Sequence, residues 1–217
     1  MNTTLGVFRD ELRPLVAATA VLMLITVVAY PVTVTAIAQL LFDREANASL
    51  LKVDGVVVGS SLVGQAFEGA EYFHPRPSSA GRGYDAGSSS GSNLGPTSDK
   101  LIYGIEDDPA TGDIDESFAG LAQRAAAYRQ ENGLGGSTEI PADAVTASAS
   151  GLDPHISPAN ARLQAARVAA ARGVSETQVL ALIEGAVEHP ALGFIGAERV
   201  NVLKLNIELN ERFPFQE

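Results

Sequence analysis

The chain has 217 residues and a formal net charge of −11, with 15 Lys and Arg against 26 Asp and Glu. Nucleic acids are recognised through clustered Lys and Arg, and this chain has no run of them, so we expect no nucleic-acid partner. The absence of Cys excludes disulfides, thiol catalysis and cysteine-ligated metal centres. The length suits one ordinary domain, or a smaller domain with an anchor.

The apolar residues are concentrated near the N-terminus. No charged residue occurs between Leu15 and Phe42, a stretch longer than the about 20 apolar residues that span a bilayer core. We therefore predict one transmembrane helix over residues 14–42. The alternative is a signal peptide cleaved near residues 36–38, although the apolar run exceeds the about 7–15 residues of a signal core. The positions that mark the predicted span are Leu15, Met23, Tyr30, Pro31 and Ala38.

The basic residues around this span predict its orientation. Arg9 and Arg13 precede the apolar run and lie closer to it than the basic residues that follow. By the positive-inside rule we expect residues 1–13 to form a short cytoplasmic N-terminus and residues 43–217 to form an extracytoplasmic domain. The predicted location is the cell inner (plasma) membrane, crossed by a single pass.

Turn residues and composition give the first elements of this domain, which we assign to the α+β class. Asp54-Gly55 between β-branched residues predicts a hairpin. Residues 75–98 are rich in Pro, Gly, Ser and Asn, a composition typical of a flexible linker. Apolar spacing predicts a helix over residues 115–131, and residues 144–148 favour a short strand.

The last third of the domain has stronger helix signals. Ser157 followed by Pro158 predicts the start of a helix that ends at Arg172, with Gly173 just beyond it. A capping box at Ser175 predicts a third helix that continues to Pro190. Leucine and isoleucine alternate with polar residues from 203 to 210, which favours a C-terminal strand, with a helix as the alternative.

Catalytic signals are weak. Asp153 lies two residues before His155, where a carboxylate can orient an imidazole base, and Ser89 lies in a G-x-S-x-G string. A Ser/His/Asp hydrolase is therefore one hypothesis. We favour a local interpretation, in which Asp153 accepts hydrogen bonds from backbone N–H groups before a helix and His155 packs nearby. Gln164 lies among alanines as a candidate contact, and we expect Arg167 to be exposed.

Six short strings occur in order along nearly the whole chain. They are GSSLVGQ at 59–65, YFHPRPS at 72–78, GSNLGPT at 91–97, SGLDPHIS at 150–157, QAARVAAARG at 164–173 and VNVLKLN at 200–206. Behind a single N-terminal span, these strings resemble the C subunit of the bacterial Kdp-type potassium pump, a P-type ATPase. Since two of the strings lie in residues 72–98, the resemblance implies an ordered loop there instead of a linker.

The resemblance implies a non-catalytic accessory subunit, needed for assembly and activity of a high-affinity, ATP-driven potassium import pump. Its implied partners are a channel-like potassium-binding A subunit, an ATP-hydrolysing B subunit, a small F subunit and membrane lipid. In one implied role, the domain covers the channel-like subunit on its outer side. An acidic outward-facing domain favours this role, because it attracts cations. The other is a catalytic chaperone that binds ATP, with Gln164 as the nucleotide contact. We expect no tightly bound cofactor, and ATP is the one nucleotide that the resemblance suggests.

The matching strings also supply candidate contacts with partner subunits. These residues are Gln65, Arg76, Asn93, Gly95, Asp153, His155 and Asn201. Among them, the loops around Asn93 and Asp153 are the predicted functional face.

Overall fold

The N-terminal apolar segment is helical along its whole length. The structure, a computed structural model, describes residues 2–105 and 118–215. The segment runs through α1 (Asn2–Met23), a π-helical turn (Leu24–Ala29) and α2 (Tyr30–Leu41). The helical conformation predicted over residues 14–42 is confirmed as far as Leu41, and the helix begins well before Pro14.

One helical stretch has the length and composition of a membrane span. Residues Asp10–Leu41 form 32 residues with a mean hydropathy of 2.3. At about 1.5 Å per residue they exceed the about 30 Å of a bilayer core. No residue of the most apolar 18-residue window within this stretch is buried.

Pro31 explains the π-helical turn that precedes it. Proline has no backbone N–H and crowds the preceding turn of a helix. Here the N–H of Tyr30 donates to the carbonyl of Ile25, five residues back, so the helix widens just before the proline. The hydroxyl of Thr26 donates to the Leu22 carbonyl at 2.8 Å within the same stretch.

The chain divides into two compact units, Met1–Leu50 and Leu51–Glu217. The first unit holds the apolar helix and the short α3 (Asp43–Ala46). The second unit holds mixed helices and strands, which agrees with the predicted α+β class. Its elements are α4 (Asp99–Tyr103), α5 (Leu121–Glu131), β3 (His155–Ile156), α6 (Pro158–Arg172), α7 (Glu176–Gly185), β4 (Val187–Glu188), β5 (Arg199–Asn201) and α8 (Val202–Arg212).

The predicted hairpin is confirmed. Strands β1 (Leu50–Val53) and β2 (Val56–Ser60) are joined by the two residues Asp54 and Gly55. Both turn residues have positive φ, 51° and 80° respectively, as a type I′ turn requires. A separate antiparallel sheet has the order β3-β5-β4, so β5 pairs with a strand on each side.

Local capping chemistry correctly predicted helices α6 and α7. The Ser157 hydroxyl accepts from the N–H of Asn160 at 3.1 Å, and Gly173 ends the helix in the left-handed region. Ser175 and Gln178 form the reciprocal capping box at the start of α7. Helix α7 nevertheless ends at Gly185 instead of Pro190, because the chain turns there to enter strand β4.

Two other predictions in this region are corrected. The helix expected over residues 115–131 begins at Leu121; residues 115–117 lie outside the described part, and Phe118 instead pairs with Ile105 in a β-bridge. The strand expected at residues 144–148 is wrong, since a 3₁₀ turn over Ala142–Ala144 is followed by irregular chain.

The predicted C-terminal strand is also wrong, and the alternative helix is correct. Helix α8 buries Val202, Leu205, Asn206 and Leu209, which are spaced at i, i+3, i+4 and i+7. Of the leucines that suggested alternation, Leu205 and Leu209 therefore share one helical face, while Leu203 lies on another side of the helix. The actual strand β5 comes just before this helix.

The main core lies between α6, α7, α8 and the three-stranded sheet. Its fully or nearly fully buried members are Phe73, Ile156, Ala161, Ala165, Val168, Ala169, Val179, Leu182, Ile183, Val200, Val202, Leu205 and Leu209. Alanines on α6 bring it close to its neighbours, so the small side chains of this helix determine how tightly the core packs.

The loop over residues 75–98 is ordered against the domain, as the resemblance implied. The Ser78 hydroxyl donates to the Gly151 carbonyl at 2.6 Å, and the Tyr84 hydroxyl donates to the Arg76 carbonyl at 2.6 Å. Ala80 is completely buried. Burial raises the pKa of Tyr84, so the hydroxyl stays protonated and donates. The linker interpretation is therefore wrong.

Candidate functional site

Two amide side chains bind the backbone of Phe73 and His74, which lie in the YFHPRPS string. We call these two residues the extended segment. Asn206 of α8 accepts from the N–H of Phe73 and donates to its carbonyl, both at 2.9 Å. Gln164 of α6 accepts from the N–H of His74 at 2.7 Å and donates to its carbonyl at 3.0 Å. Each amide thus acts as a strand would, satisfying the backbone groups of one residue. This places the segment between two helices.

Gln164 has no hydrogen-bonding capacity left for another molecule. Its side-chain oxygen also accepts from Arg167 at 2.8 Å, and its side-chain nitrogen also donates to Asn160 at 2.9 Å. The residue is 1% exposed. A primary amide accepts two bonds and donates two, and all four are made inside the domain. The nucleotide contact at Gln164 remains a prediction, and it requires this network to open.

Arg167 is not the exposed residue that the sequence suggested. Besides Gln164, its guanidinium donates to the Asn132 side chain at 3.0 Å and to the carbonyls of Ala70 and Tyr72 at 2.7 and 2.9 Å. Burial lowers its pKa, and nearby Glu131 partly opposes that effect. The arginine therefore ties α6 to the segment that leads into His74.

His74 forms a second link at the same place, which sequence reasoning missed. Its Nδ1 lies 2.6 Å from the Glu131 carboxylate, and its Nε2 lies 2.8 Å from the Gly69 carbonyl. The hydrogen bond from His74 lowers the pKa of Glu131 despite partial burial. The pair joins residues 57 positions apart, and no local pattern in the sequence indicates it.

Asp153 and His155 behave as the local interpretation predicted. The Asp153 carboxylate accepts from the N–H of His155 at 3.0 Å and from Arg76 at 2.9 Å. Burial alone raises the pKa of Asp153, but the hydrogen bonds from His155 and Arg76 outweigh it and lower that pKa. The His155 ring lies between Asp153, at 3.4 Å, and Glu188, at 3.7 Å.

The geometry does not form a Ser/His/Asp triad. The Ser89 hydroxyl donates to the Ser150 carbonyl at 2.9 Å, while the His155 ring faces two carboxylates. A nucleophile needs its hydroxyl within hydrogen-bond reach of the base. Here the acid and the base are adjacent, but the serine is engaged elsewhere.

The remaining candidate contacts are distributed over the domain and do not form one site. Gln65 donates to the Val58 carbonyl at 2.9 Å and so supports the hairpin. Asn201 is buried, donates to the Ser61 carbonyl at 2.9 Å, and accepts from the N–H of Lys204 at the start of α8. Only Asn93 and Gly95 are exposed, in the loop before α4.

Among the described residues of the second unit, the two most exposed large apolar side chains lie in the loop between β4 and β5. Leu192 is 83% exposed and Phe194 is 76% exposed, while Ile195 pairs with Ala191 across the turn. We call residues 191–196 the apolar tip. Sequence reasoning missed it, although residues 190–197 contain no charged residue. Exposed apolar clusters of this kind mark contact surfaces.

Comparisons with known proteins give one consistent result. Residues 12–211 match the family KdpC, the c chain of the K⁺-transporting ATPase. The chain is 52% identical over 206 residues to the potassium-transporting ATPase KdpC subunit of Caulobacter vibrioides (strain NA1000 / CB15N), covering 94% of this chain and 95% of that protein. It is 50% identical over 202 residues to the KdpC subunit of Mycobacterium tuberculosis strain H37Rv, covering 93% and 98% respectively.

Proposed function

Because the chain belongs to the KdpC family of K⁺-transporting ATPase subunits, we propose that it is the non-catalytic accessory subunit of an ATP-driven potassium import pump. The observation that carries this proposal is the family match over residues 12–211. The chain supports assembly and activity of the complex, and its partners carry out transport and ATP hydrolysis.

The proposed partners are a channel-like A subunit, an ATP-hydrolysing B subunit and a small F subunit. The apolar helix supports a membrane-embedded contact, because its stretch Asp10–Leu41 is long enough to cross a bilayer. Small and hydroxyl side chains such as Thr19, Thr26 and Ala38 suit close packing against neighbouring spans.

We further propose that the second unit lies outside the membrane and covers the channel-like subunit. In residues 1–42, Arg9 and Arg13 balance Asp10 and Glu11, so the whole net charge of −11 belongs to residues 43–217. An acidic surface raises the local concentration of cations, although salt screens it beyond about 8 Å. The positive-inside rule gives the same orientation.

Purification of the tagged chain from native membranes tests this function. A C-terminal tag, a mild detergent and mass spectrometry identify the chains that accompany it, and the same sample is assayed for potassium-stimulated ATP hydrolysis. We expect a large ATPase chain and a polytopic channel chain, with activity lost when this subunit is omitted. Recovery of the chain alone, from membranes in which the pump is expressed, would refute the proposal.

A further inference from the structure

A pocket of about 440 Å³ lies beside the loop that precedes α4, on the second unit. Three cationic side chains line it, those of Arg82, Lys100 and Arg124, and they come from three different parts of the chain. Three hydroxyl side chains also line it: Ser78, Ser79 and Ser92. We call this the basic pocket. Gln164 does not line it, so it is distinct from the network described above.

The three cations have no carboxylate partner among the residues that the structure describes. Elsewhere in the second unit, arginine and lysine side chains form ion pairs, as in the contacts of Arg76 with Asp153 and of Lys204 with Glu188. In the basic pocket, Arg124 instead lies 4.8 Å from the ring centre of Phe118, and Lys100 lies 5.6 Å from it. Both cations therefore lie within cation–π distance of the same aromatic ring.

The lining of the pocket contrasts with the composition of the chain. Among the described residues, no Asp or Glu lines the pocket, although acidic residues outnumber basic ones by 26 to 15 in the chain. Asp85 lies on the same loop, where its carboxylate is beside the pocket-lining Gly81 and accepts from the N–H of Gly87. Among the described residues, three cations against this one carboxylate leave an excess of positive charge at the pocket, which a bound anion would offset.

We propose that the basic pocket binds a phosphate group carried by a small ester, either a soluble phosphate ester or the headgroup of an anionic phospholipid. A phosphate has several strong acceptor oxygens, which match the guanidinium and ammonium groups and the hydroxyls of Ser79 and Ser92, whereas the Ser78 hydroxyl already donates to Gly151. The volume lies within the about 300–1,000 Å³ of small-molecule sites, so it admits a phosphate with a short organic group. The site does not depend on the pump proposal or on the orientation of the chain.

The test uses the full chain in a phosphate-free maltoside detergent and follows ³¹P NMR line broadening of glycerol 3-phosphate. The variant Arg82→Gln with Lys100→Gln removes two charges whose side chains make no hydrogen bond in the described structure. The control variant, Arg162→Gln with Arg212→Gln, removes the same charge from exposed ion pairs elsewhere. We expect the pocket variant to weaken binding by at least about tenfold and the control to bind as the parent does.

Either of two results would overturn the proposal. The first is that the parent chain causes no ³¹P line broadening. The second is that both double variants weaken binding equally, which would mean that binding depends only on the long-range charge of the chain. Residues 106–117 add six carboxylates next to Lys100 and Phe118 in the sequence. We also test a variant in which these six carboxylates are changed to amides. If only that variant binds glycerol 3-phosphate, the natural chain has no such site.

The lipid source is distinguished from the soluble one in nanodiscs. Phosphatidylglycerol in the disc competes with glycerol 3-phosphate if the headgroup occupies the pocket, whereas a disc of phosphatidylcholine alone does not. Binding that is unchanged by phosphatidylglycerol, yet lost in the pocket variant, assigns the site to a soluble ester.

Discussion

Gln164 and Asn206 do at the level of single residues what a neighbouring strand does for a sheet. Each presents an amide to one residue of the extended segment and satisfies both its N–H and its carbonyl. Because unpaired buried backbone groups are costly, these two side chains determine where the segment can lie. Their presence in two of the six recognised strings therefore has a structural explanation that needs no ligand.

Replacing Gln164 by Ala tests the structural role against the nucleotide role. The change leaves the His74 backbone, Asn160 and Arg167 short of partners, so we expect the free energy of unfolding to fall by about 2–4 kcal/mol. Denaturant unfolding of the full chain measures this, with the exposed Gln130→Ala on α5 as the control. Unchanged stability combined with loss of ATP binding would instead support the nucleotide contact.

Asp153 gives a prediction about pH. Its pKa is lowered in the folded state, so the carboxylate contributes stability above the pKa of the unfolded chain, and this contribution is lost as the pH falls through the folded-state value. Since the side chain is 30% exposed, we expect Asp153→Asn to cost only about 1–2 kcal/mol at pH 7.

The difference between Asp153→Asn and the parent should shrink as the pH falls through the lowered folded-state pKa of Asp153, because protonation then removes the charge from the parent as well. Unfolding curves from pH 7 to pH 2 measure the effect. Glu184→Gln is the matched control, because it removes an exposed carboxylate that pairs with Arg162. A difference that persists unchanged at pH 2 would mean that Asp153 acts through packing instead of charge.

At the scale of elements, the sequence correctly predicted the helix starts and the turn that local side-chain chemistry determines. Helices α6 and α7 start where serine side chains accept from the first turn, and the β1–β2 turn uses Asp54 and Gly55 at positive φ. The order of residues along the chain is sufficient for such features. The family was also correctly inferred from short strings, since these preserve their order over the whole length.

The failures have a common physical cause. The alternation from 203 to 210 satisfies a strand pattern, yet tertiary packing selected the helix, because Val202, Leu205 and Leu209 share a buried face. The contacts of His74 with Glu131 and of Arg76 with Asp153 join distant segments, so no spacing rule indicates them. The basic pocket likewise exists only once three parts of the chain meet.

Substitutions at Asn201 test how much the N-terminal cap of helix α8 contributes to stability. Its side chain accepts from the N–H of Lys204 at the helix N-terminus and donates to the Ser61 carbonyl. Asn201→Ala removes both bonds and should lower the free energy of unfolding by about 2–3 kcal/mol. Asn201→Ser keeps a neutral capping oxygen but loses the bond to Ser61, so its smaller loss, measured by thermal unfolding, separates the two contributions. Equal losses would show that the helix cap adds nothing.

At the scale of the whole molecule, the second unit combines a strongly acidic composition with an uncharged apolar tip. The tip is supported by β4 and β5, which pair with one another, so its apolar side chains are presented on a fixed hairpin. Presenting Leu192 and Phe194 to water is unfavourable, and burying each against a partner gains about 1.5–3 kcal/mol. We expect this partner to be the channel-like subunit, because the proposed function places the two in contact.

Changing the tip should therefore weaken assembly without affecting the fold of the chain. In Leu192→Ser with Phe194→Ser, both side chains are more than three-quarters exposed, at 83% and 76%, so the free energy of unfolding should stay within about 0.5 kcal/mol of the parent. Loss of two apolar anchors should weaken association by at least about tenfold. Recovery of the channel-like chain with the tagged subunit, together with potassium-stimulated ATP hydrolysis, measures the loss.

The matched control is Leu62→Ser with Tyr103→Ser, which changes two other exposed apolar side chains, 60% and 68% exposed, away from the tip. If both double variants lose the partner equally, general surface polarity is responsible and the tip has no special role. If neither loses it, the apolar tip is not needed for assembly. Selective loss in the tip variant would establish a second, aqueous contact, and with it a physical reason for the exposed phenylalanine.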